Sequence, residues 1–338
     1  MSQFPVKDGE LLVGGIPLSR LAARVGQTPF YAYDRQLLTR RVALLRAALP
    51  ASLKLHYAMK ANPMPALVCH MAGLVDGIDV ASAGELKVAL DAGANPREIS
   101  FAGPGKRRAE LSQAVAAGIL SNIESFREVA ELADISHETG CAGRVAVRVN
   151  PDFELKSSGM KMGGGARQFG VDAEQVPDLL TEIGRHGLAF EGFHLFAGAQ
   201  NLRPEAIAEA QIKSFELALR LAGSAPAPVR FLNLGGGFGI PYFPGEQHLE
   251  LAPIGANLSG IVERAARELP AAELVIELGR YLVGEAGLYV TRILDRKTSR
   301  GQTFLVTDGG LHHHLSASGN FGQVIRKNYP VAIGNRII

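Results

Sequence analysis

Eight short runs of β-branched and aliphatic residues recur along the chain. They are Leu53–Ala58 (LKLHYA), Gly77–Ala81 (GIDVA), Glu98–Ala102 (EISFA), Gly118–Ile123 (GILSNI), Arg144–Val149 (RVAVRV), Phe190–Phe196 (FEGFHLF), Val229–Leu234 (VRFLNL) and Glu273–Leu278 (ELVIEL). Each has the length of a strand. Between them lie segments with helical spacing, clearest in Ala83–Gly93 and Glu205–Ala222. Strand–helix alternation implies parallel strands joined by crossover helices. Eight such units in roughly 230 residues predict a closed (β/α)8 barrel, which takes about 250 residues. A doubly wound open sheet is the rival architecture.

The flanks follow another pattern. Asp34 stands where it would N-cap a first barrel helix, DRQLLTRRVALLRAAL. Beyond Arg280 come glycine-punctuated runs, LYVTRILDRKTS, GQTFLVTDGG and PVAIGNRII, which predict antiparallel β structure. The expected organisation is an N-terminal part of a β domain (1–34), a barrel (35–280) and a C-terminal, incomplete β domain (281–338). The final VAIGNRII reads as a strand whose partner is missing.

Composition narrows the class. The chain has 338 residues, 47% hydrophobic and 20% charged, with a formal net charge of +2. That balance supports a folded core and argues against disorder. It supplies no general basic field for nucleic acid or an anionic membrane. No apolar run is long enough to span a bilayer, and MSQFPVKDGELLVGG lacks the apolar stretch of a signal peptide. Two cysteines, Cys69 and Cys141, make no disulfide framework and read as reduced, buried thiols of a cytoplasmic enzyme.

Active sites of such barrels form at the carboxyl ends of the strands, and the candidate chemistry falls there. Lys60 follows the first strand in HYAMKANP; it is either a solvated charge or a lysine whose neutral amine attacks a carbonyl. Gly235, Gly236 and Gly237 follow the seventh strand in LNLGGGFGIPY, where converging backbone N–H groups can cradle an anion. The eighth strand ends in Glu277, Leu278, Gly279 and Arg280, adding a close backbone approach and a guanidinium fork for phosphate or carboxylate. Glu277 faces the barrel interior by alternation and needs a partner there. The structural choice is an arginine such as Arg148; the functional one is a protonated ring nitrogen, which makes the ring an electron sink. Asp79 is a second interior carboxylate, available to pair with Arg148 or Lys60.

Phosphate cradle, ring carboxylate and amine together suggest pyridoxal phosphate. HYAMKANP, DVASAGEL, VRVNP, RQFGVD, GFHLFAGAQ, LNLGGGFGIPY and IELGRYLVGEAG stand in the order seen in pyridoxal phosphate-dependent decarboxylases of the alanine racemase-like fold, such as diaminopimelate, ornithine and arginine decarboxylases. The chain resembles that family over most of Phe30 to Asp308. KSSGMKMGGGARQFG, HLFAGAQN and DGGLHHHLSASGNFGQVIRKNYPV resemble its exosortase A-associated branch. The resemblance implies a Schiff base at Lys60, phosphate binding by Gly235, Gly236, Gly237, Gly279 and Arg280 with Tyr242 nearby, Glu277 at the pyridine nitrogen, and Asp79 and Arg148 as polar support. It also implies a homodimer with shared active sites and an amino-acid substrate, cationic or dicarboxylic.

The sequence departs from the family in places. In its HxHIGSQ segment, Phe196 and Ala199 replace the ring-stacking histidine and the phosphate-binding serine. Phe196 still offers an apolar face. His194 either substitutes in part, as a third catalytic candidate beside Lys60 and Glu277, or is a structural interior histidine. Gln168 replaces a lysine in the KFG element, and the family's GPxC and GAY segments are absent. The chain is therefore read as stopping inside its second domain. His312, His313 and His314 follow a β segment, and no metal is assigned to them. A racemase of this fold and a non-catalytic pyridoxal phosphate-binding protein are the alternative functions. Glu277 opposes the racemase, because the resemblance places arginine at that point in racemases. The segments flanking the barrel oppose the second alternative.

Overall fold

The computed structural model describes residues 3–153, 160–161, 164–243, 245–310, 312–313 and 330–337. All eight expected strands are present: β1 (Lys54–Ala58), β2 (Gly77–Val80), β3 (Ile99–Phe101), β4 (Leu120–Ile123), β5 (Arg144–Asn150), β6 (Ala189–Leu195), β7 (Phe231–Gly236) and β8 (Glu273–Leu278). They pair in parallel in chain order, β8 returns to β1, and the sheet closes into a (β/α)8 barrel. The open doubly wound sheet is thereby excluded.

Alternation along the strands explains both layers of this unit. Outward positions are aliphatic or aromatic and fully buried, including Leu55, Tyr57, Ile78, Val147, Phe193, Leu232 and Ile276. They meet the apolar stripes of the crossover helices, such as Leu67, Val68 and Met71 of Pro65–Ala72 and Phe215 and Leu221 of Pro204–Ala222. Burying such a side chain stabilises the fold by about 1.5–3 kcal/mol each. Each strand also buries at least one polar residue of the opposite phase, among them His56, Asp79, Ser100, Asn122, Arg148, His194, Asn233 and Glu277. Strand pairing sets Asp79 beside Ser100, Arg148 beside His194, His194 beside Asn233, and Glu277 beside His56. Buried polar groups are costly without partners, so this ring is where the barrel holds its specific chemistry.

Two helices after the strands open on serine caps. Ser82 Oγ accepts the Glu85 N–H at 3.2 Å and Ser125 Oγ accepts that of Glu128 at 3.4 Å. The strand register slips at two places, between Phe190 and Gly192 and between Asn233 and Gly236. Gly192 permits the first: its Cβ would lie 1.8 Å from the Phe231 carbonyl oxygen.

The chain divides into two compact units, Arg41–Ile240 with His248–Val283, and Met1–Arg40 with Pro241–Gln247 and Gly284–Ile338. The second unit is antiparallel β structure drawn from both ends of the chain. Val6–Lys7, Glu10–Val13 and Ile16–Pro17 form one sheet, Phe30–Tyr33 pairs with Gly287–Val290, and Ile293–Ser299 with Gln302–Thr307. Phe4, Leu11, Val13 and Ala32 form its core. Asp34 caps the helix Arg35–Ala48 as expected: Oδ1 accepts the Gln36 N–H at 2.8 Å, and Oδ2 accepts that of Gly14 at 2.9 Å.

Two expectations are corrected. Residues 331–337 form no strand, because Gly334–Asn335 makes a turn there. The segment also has partners within the chain: the Leu11 N–H donates to the Gly334 carbonyl at 2.8 Å and the Ile337 N–H to that of Gly9 at 2.6 Å. Both cysteines are exposed rather than buried. Cys69 lies on the helix Pro65–Ala72, and Cys141 follows the left-handed Gly140 that ends the helix Phe126–Thr139. His312 and His313 lie in a turn; His314 falls outside the described residues.

Candidate active site

The residues singled out in the sequence lie at the carboxyl ends of the strands. Lys60 stands in the helical turn Met59–Ala61 directly after β1, with an exposed side chain. Its Nζ lies 5.9 Å from the centre of the Phe196 ring, just past β6. Glu277 and His194 meet inside the barrel: His194 Nε2 is 3.1 Å from Glu277 Oε2. The angle makes no hydrogen bond, and neither imidazole nitrogen has a hydrogen-bond partner. Asn233 Nδ2 donates to Glu277 Oε2 at 3.2 Å. Burial alone would raise the Glu277 pKa. The charge of His194, helped by Lys60 and Arg148, outweighs it and holds the carboxyl well below the ordinary carboxylate range.

The glycine turn is tightly built. Gly235 and Gly237 have φ of 71° and 75°, a region that favours glycine. A Cβ on Gly236 would lie 2.1 Å from the Glu277 carbonyl oxygen, and one on Gly237 2.3 Å from that of Gly198. A Cβ on Gly279 would lie 3.0 Å from the Ala58 carbonyl oxygen, which brings the end of β8 close to the end of β1. Gln200, itself at φ 57°, ties the neighbouring loops together. Its Nε2 donates to the Ile240 carbonyl at 2.6 Å, and its Oε1 accepts from the Ile240 N–H at 3.3 Å and from Arg280 Nη1 at 3.4 Å.

Asp79 and Arg148 have partners other than those expected. Asp79 binds neither Arg148 nor Lys60; its Oδ1 lies 3.0 Å from His56 Nδ1 and accepts from Ser100 Oγ at 2.6 Å. Asn122 Nδ2 continues the chain by donating to Ser100 Oγ at 3.2 Å. Burial disfavours the charged His56, but the Asp79 carboxylate, with Glu98 and Glu277, overrides it and raises the imidazole pKa. Arg148 binds Glu124 rather than Glu277, with Nη1 3.0 Å from Oε1, and lies 4.8 Å from the Phe169 ring centre. Glu124 also accepts the N–H groups of Gly103 at 2.5 Å and Gly170 at 3.0 Å. Burial opposes its charge; Arg148 and Lys106 win and lower its pKa.

His56, Asn233, Glu124 and Gln200 were not anticipated. Strand alternation alone places His56 and Asn233 on the inward face and could have found them. Glu124 and Gln200 lie in loops, whose partners periodicity does not reveal.

Comparisons with known proteins agree with this geometry. Residues 35–284 match the family described as "Pyridoxal-dependent decarboxylase, pyridoxal binding domain". The L-glutamyl-[BtrI acyl-carrier protein] decarboxylase of Niallia circulans is 37% identical over 312 residues, 90% of this chain and 72% of that one. The diaminopimelate decarboxylase of Aquifex aeolicus (strain VF5) is 33% identical over 315 residues, 92% of this chain and 73% of that one. The solved diaminopimelate decarboxylase of Helicobacter pylori, complexed with L-lysine, superposes with a TM-score of 0.77 at 28% identity, covering 89% of this chain and 75% of that one.

A parallel barrel with a buried carboxylate and a glycine cradle at its carboxyl end is thus that of a cofactor-dependent lyase. The chain belongs to the pyridoxal-dependent decarboxylases and is a pyridoxal phosphate-dependent amino-acid decarboxylase. No helix among the described residues is long and apolar enough to cross a membrane.

Its residues fit pyridoxal phosphate. An ionised buried carboxylate, an exposed primary amine and a glycine turn beside Arg280 match a ring nitrogen, an aldehyde and a phosphate, respectively. The unpartnered nitrogens of His194 leave hydrogen-bonding capacity at the same place.

Proposed function

We propose that the chain decarboxylates an amino acid built on a dicarboxylic skeleton, free or as an acyl derivative, at the carboxyl mouth of its barrel. The observation that carries this reading is the buried Glu277 carboxylate, held ionised beside His194 at the end of the strand that follows the glycine turn. Lys60 would hold the cofactor's aldehyde carbon through its amine. Gly235, Gly236, Gly237, Gly279 and Arg280 would hold its phosphate. Phe196 would present an apolar face, and Glu277 would stand at the ring nitrogen. Asp79 and Arg148 would support the site from the positions that His56 and Glu124 fix. When bound, pyridoxal phosphate supplies a protonated ring that takes up the electron pair left by departing carbon dioxide.

The chain's own groups then have separable tasks. Glu277 keeps the proton on the ring nitrogen because its own pKa is depressed. Asn233 orients that carboxylate through its hydrogen bond, and His194 contributes the charge that depresses its pKa. Lys60, exposed in a helical turn, would be placed to move a proton at the carbon that loses the carboxylate.

Two relatives support a substrate built on a dicarboxylic skeleton, since one is named for diaminopimelate and the other for a glutamyl group borne by a carrier protein. The wider class, cationic or dicarboxylic, remains the frame for the screen. A homodimer fits the hairpin Ile293–Ser299/Gln302–Thr307, which exposes Leu294, Phe304, Leu305 and Val306. The exosortase-associated affiliation rests on the sequence resemblance, and a cytoplasmic location on that resemblance and on two cysteines that are free.

The test is carbon dioxide release from a panel containing diaminopimelate, glutamate, lysine, ornithine and glutamyl-loaded carrier protein. One carbon dioxide per amine formed is the expected result for a member with a dicarboxylic skeleton. Racemisation without carbon dioxide, or turnover of the basic members alone, would overturn the reading.

A further inference from the structure

The opposite end of the barrel carries a second charged cavity. It encloses about 440 Å³ and is lined from the first residues of the strands: Lys54 on β1, Glu98 before β3, Arg144 on β5, Arg230 before β7 and Glu273 on β8. It therefore opens at the amino-terminal mouth, away from Lys60 and the glycine turn. Residues at this end of such barrels ordinarily serve stability, and several do so here. Lys54 Nζ binds Glu98 and Glu273, each at 2.9 Å, and Arg144 Nε binds Glu191 at 3.0 Å.

Three features exceed what stability requires. First, Lys54 and Arg144 already engage the three lining carboxylates, while the exposed guanidiniums of Arg97 and Arg230 have no ion pair among the described residues. Four cationic side chains thus stand against three anionic ones around the cavity. Second, the wall includes His56, 2% exposed, whose Nδ1 is committed to Asp79 and whose Nε2 has no partner. Buried nitrogens without partners are rare and call for one. Third, room for that ring edge is made by Gly77, where a Cβ would lie 2.4 Å from His56 Nε2.

We propose that the amino-terminal mouth of the barrel binds a small anion bearing a carboxylate or phosphate group. Arg97 and Arg230 supply the charge-assisted hydrogen bonds at the rim. His56 lies at the inner wall, where its buried ring senses the charge of the occupant. Lys54 and Arg144, already paired with the lining carboxylates, shape the site. The occupant would meet the His56–Asp79 pair from the side opposite the candidate active site. The proposal stands independently of the decarboxylase reading, since none of its residues belongs to the cofactor cradle.

The test uses the pyridoxal phosphate-loaded full chain, so that the cradle is filled. The His56 imidazole nitrogens, assigned by comparison with His56→Gln, are followed by NMR while inorganic phosphate or glutarate is added, with potassium chloride at matched ionic strength as reference. The expected result is a saturable shift with phosphate, glutarate or both, weakened about tenfold or more in an Arg97→Gln/Arg230→Gln double variant. Both arginines are exposed, so circular dichroism of that variant should match the parent. A shift no larger than that from potassium chloride, or equal affinity in the double variant, would overturn the proposal.

Discussion

His194 Nε2 lies 3.1 Å from Glu277 Oε2, yet no hydrogen bond closes between them. The carboxylate is therefore held by proximity of charge and by one hydrogen bond from Asn233, with lone-pair capacity to spare. Such an anion serves a proton on a neighbouring ring better than a fully saturated one. Replacing Glu277 by Gln keeps the shape and removes the charge. The expected outcome is a kcat lower by on the order of 10²-fold or more with cofactor still bound. Steady-state carbon dioxide release together with cofactor absorbance measures both; wild-type kcat in Glu277→Gln would refute the assignment.

The glycine turn predicts a loss of cofactor affinity. Gly237→Ala puts a Cβ 2.3 Å from the Gly198 carbonyl oxygen at a φ of 75°. The left-handed backbone alone costs about 1–2 kcal/mol, and the loop must also shift. Titration with pyridoxal phosphate should show a Kd at least about tenfold weaker, since 1.4 kcal/mol is a factor of ten. Gly260→Ala is the control. Nothing lies within 4 Å of its Cβ inside the helix Ala252–Glu268, so it should stabilise by about 0.5–1 kcal/mol and leave affinity unchanged.

Much of this site was legible in the sequence, and the limits have physical causes. Alternation placed Glu277 inside the barrel, and the βα period placed Lys60 and the glycines at strand ends. Alternation gives the face of a strand but not its height relative to its neighbours. Asp79 consequently found His56 and Ser100, and Arg148 found Glu124 at the end of β4. The slips at Gly192 and between Asn233 and Gly236 shift the register further, and no periodicity shows them. The misread terminal segment has the same origin, since Gly334–Asn335 turns a run that is otherwise strand-like.

Histidine linkage gives a pH prediction. The His56 pKa rises from 6.5 because the Asp79 carboxylate outweighs burial. A raised folded pKa contributes stability that is complete below 6.5 and is lost as pH rises through the folded value. Urea unfolding of the parent and of His56→Gln should therefore differ more at about pH 5.5 than at about pH 8.5. A difference that is flat, or larger at the higher pH, would contradict the pairing.

Asp308 makes the opposite prediction for the β unit. Hydrogen bonds from the Thr28 and Thr291 hydroxyls, and the Arg292 N–H at 2.9 Å, bring its pKa from 3.8 to about 2. Its contribution is present above 3.8 and disappears as pH falls toward about 2. Asp308→Asn should lower the melting temperature at neutral pH, and the gap from the parent should narrow through that acid window. Thermal unfolding followed across the window checks the sign.

Everything proposed for the site depends on Lys60 as the attachment point of pyridoxal phosphate at the carboxyl mouth of the barrel. Borohydride reduction of the cofactor-loaded chain, followed by peptide mass mapping, tests it directly. The expected result is a phosphopyridoxyl mass on the peptide containing Lys60 and its loss in Lys60→Ala. An adduct on another lysine, or none on the loaded parent protein, would contradict it.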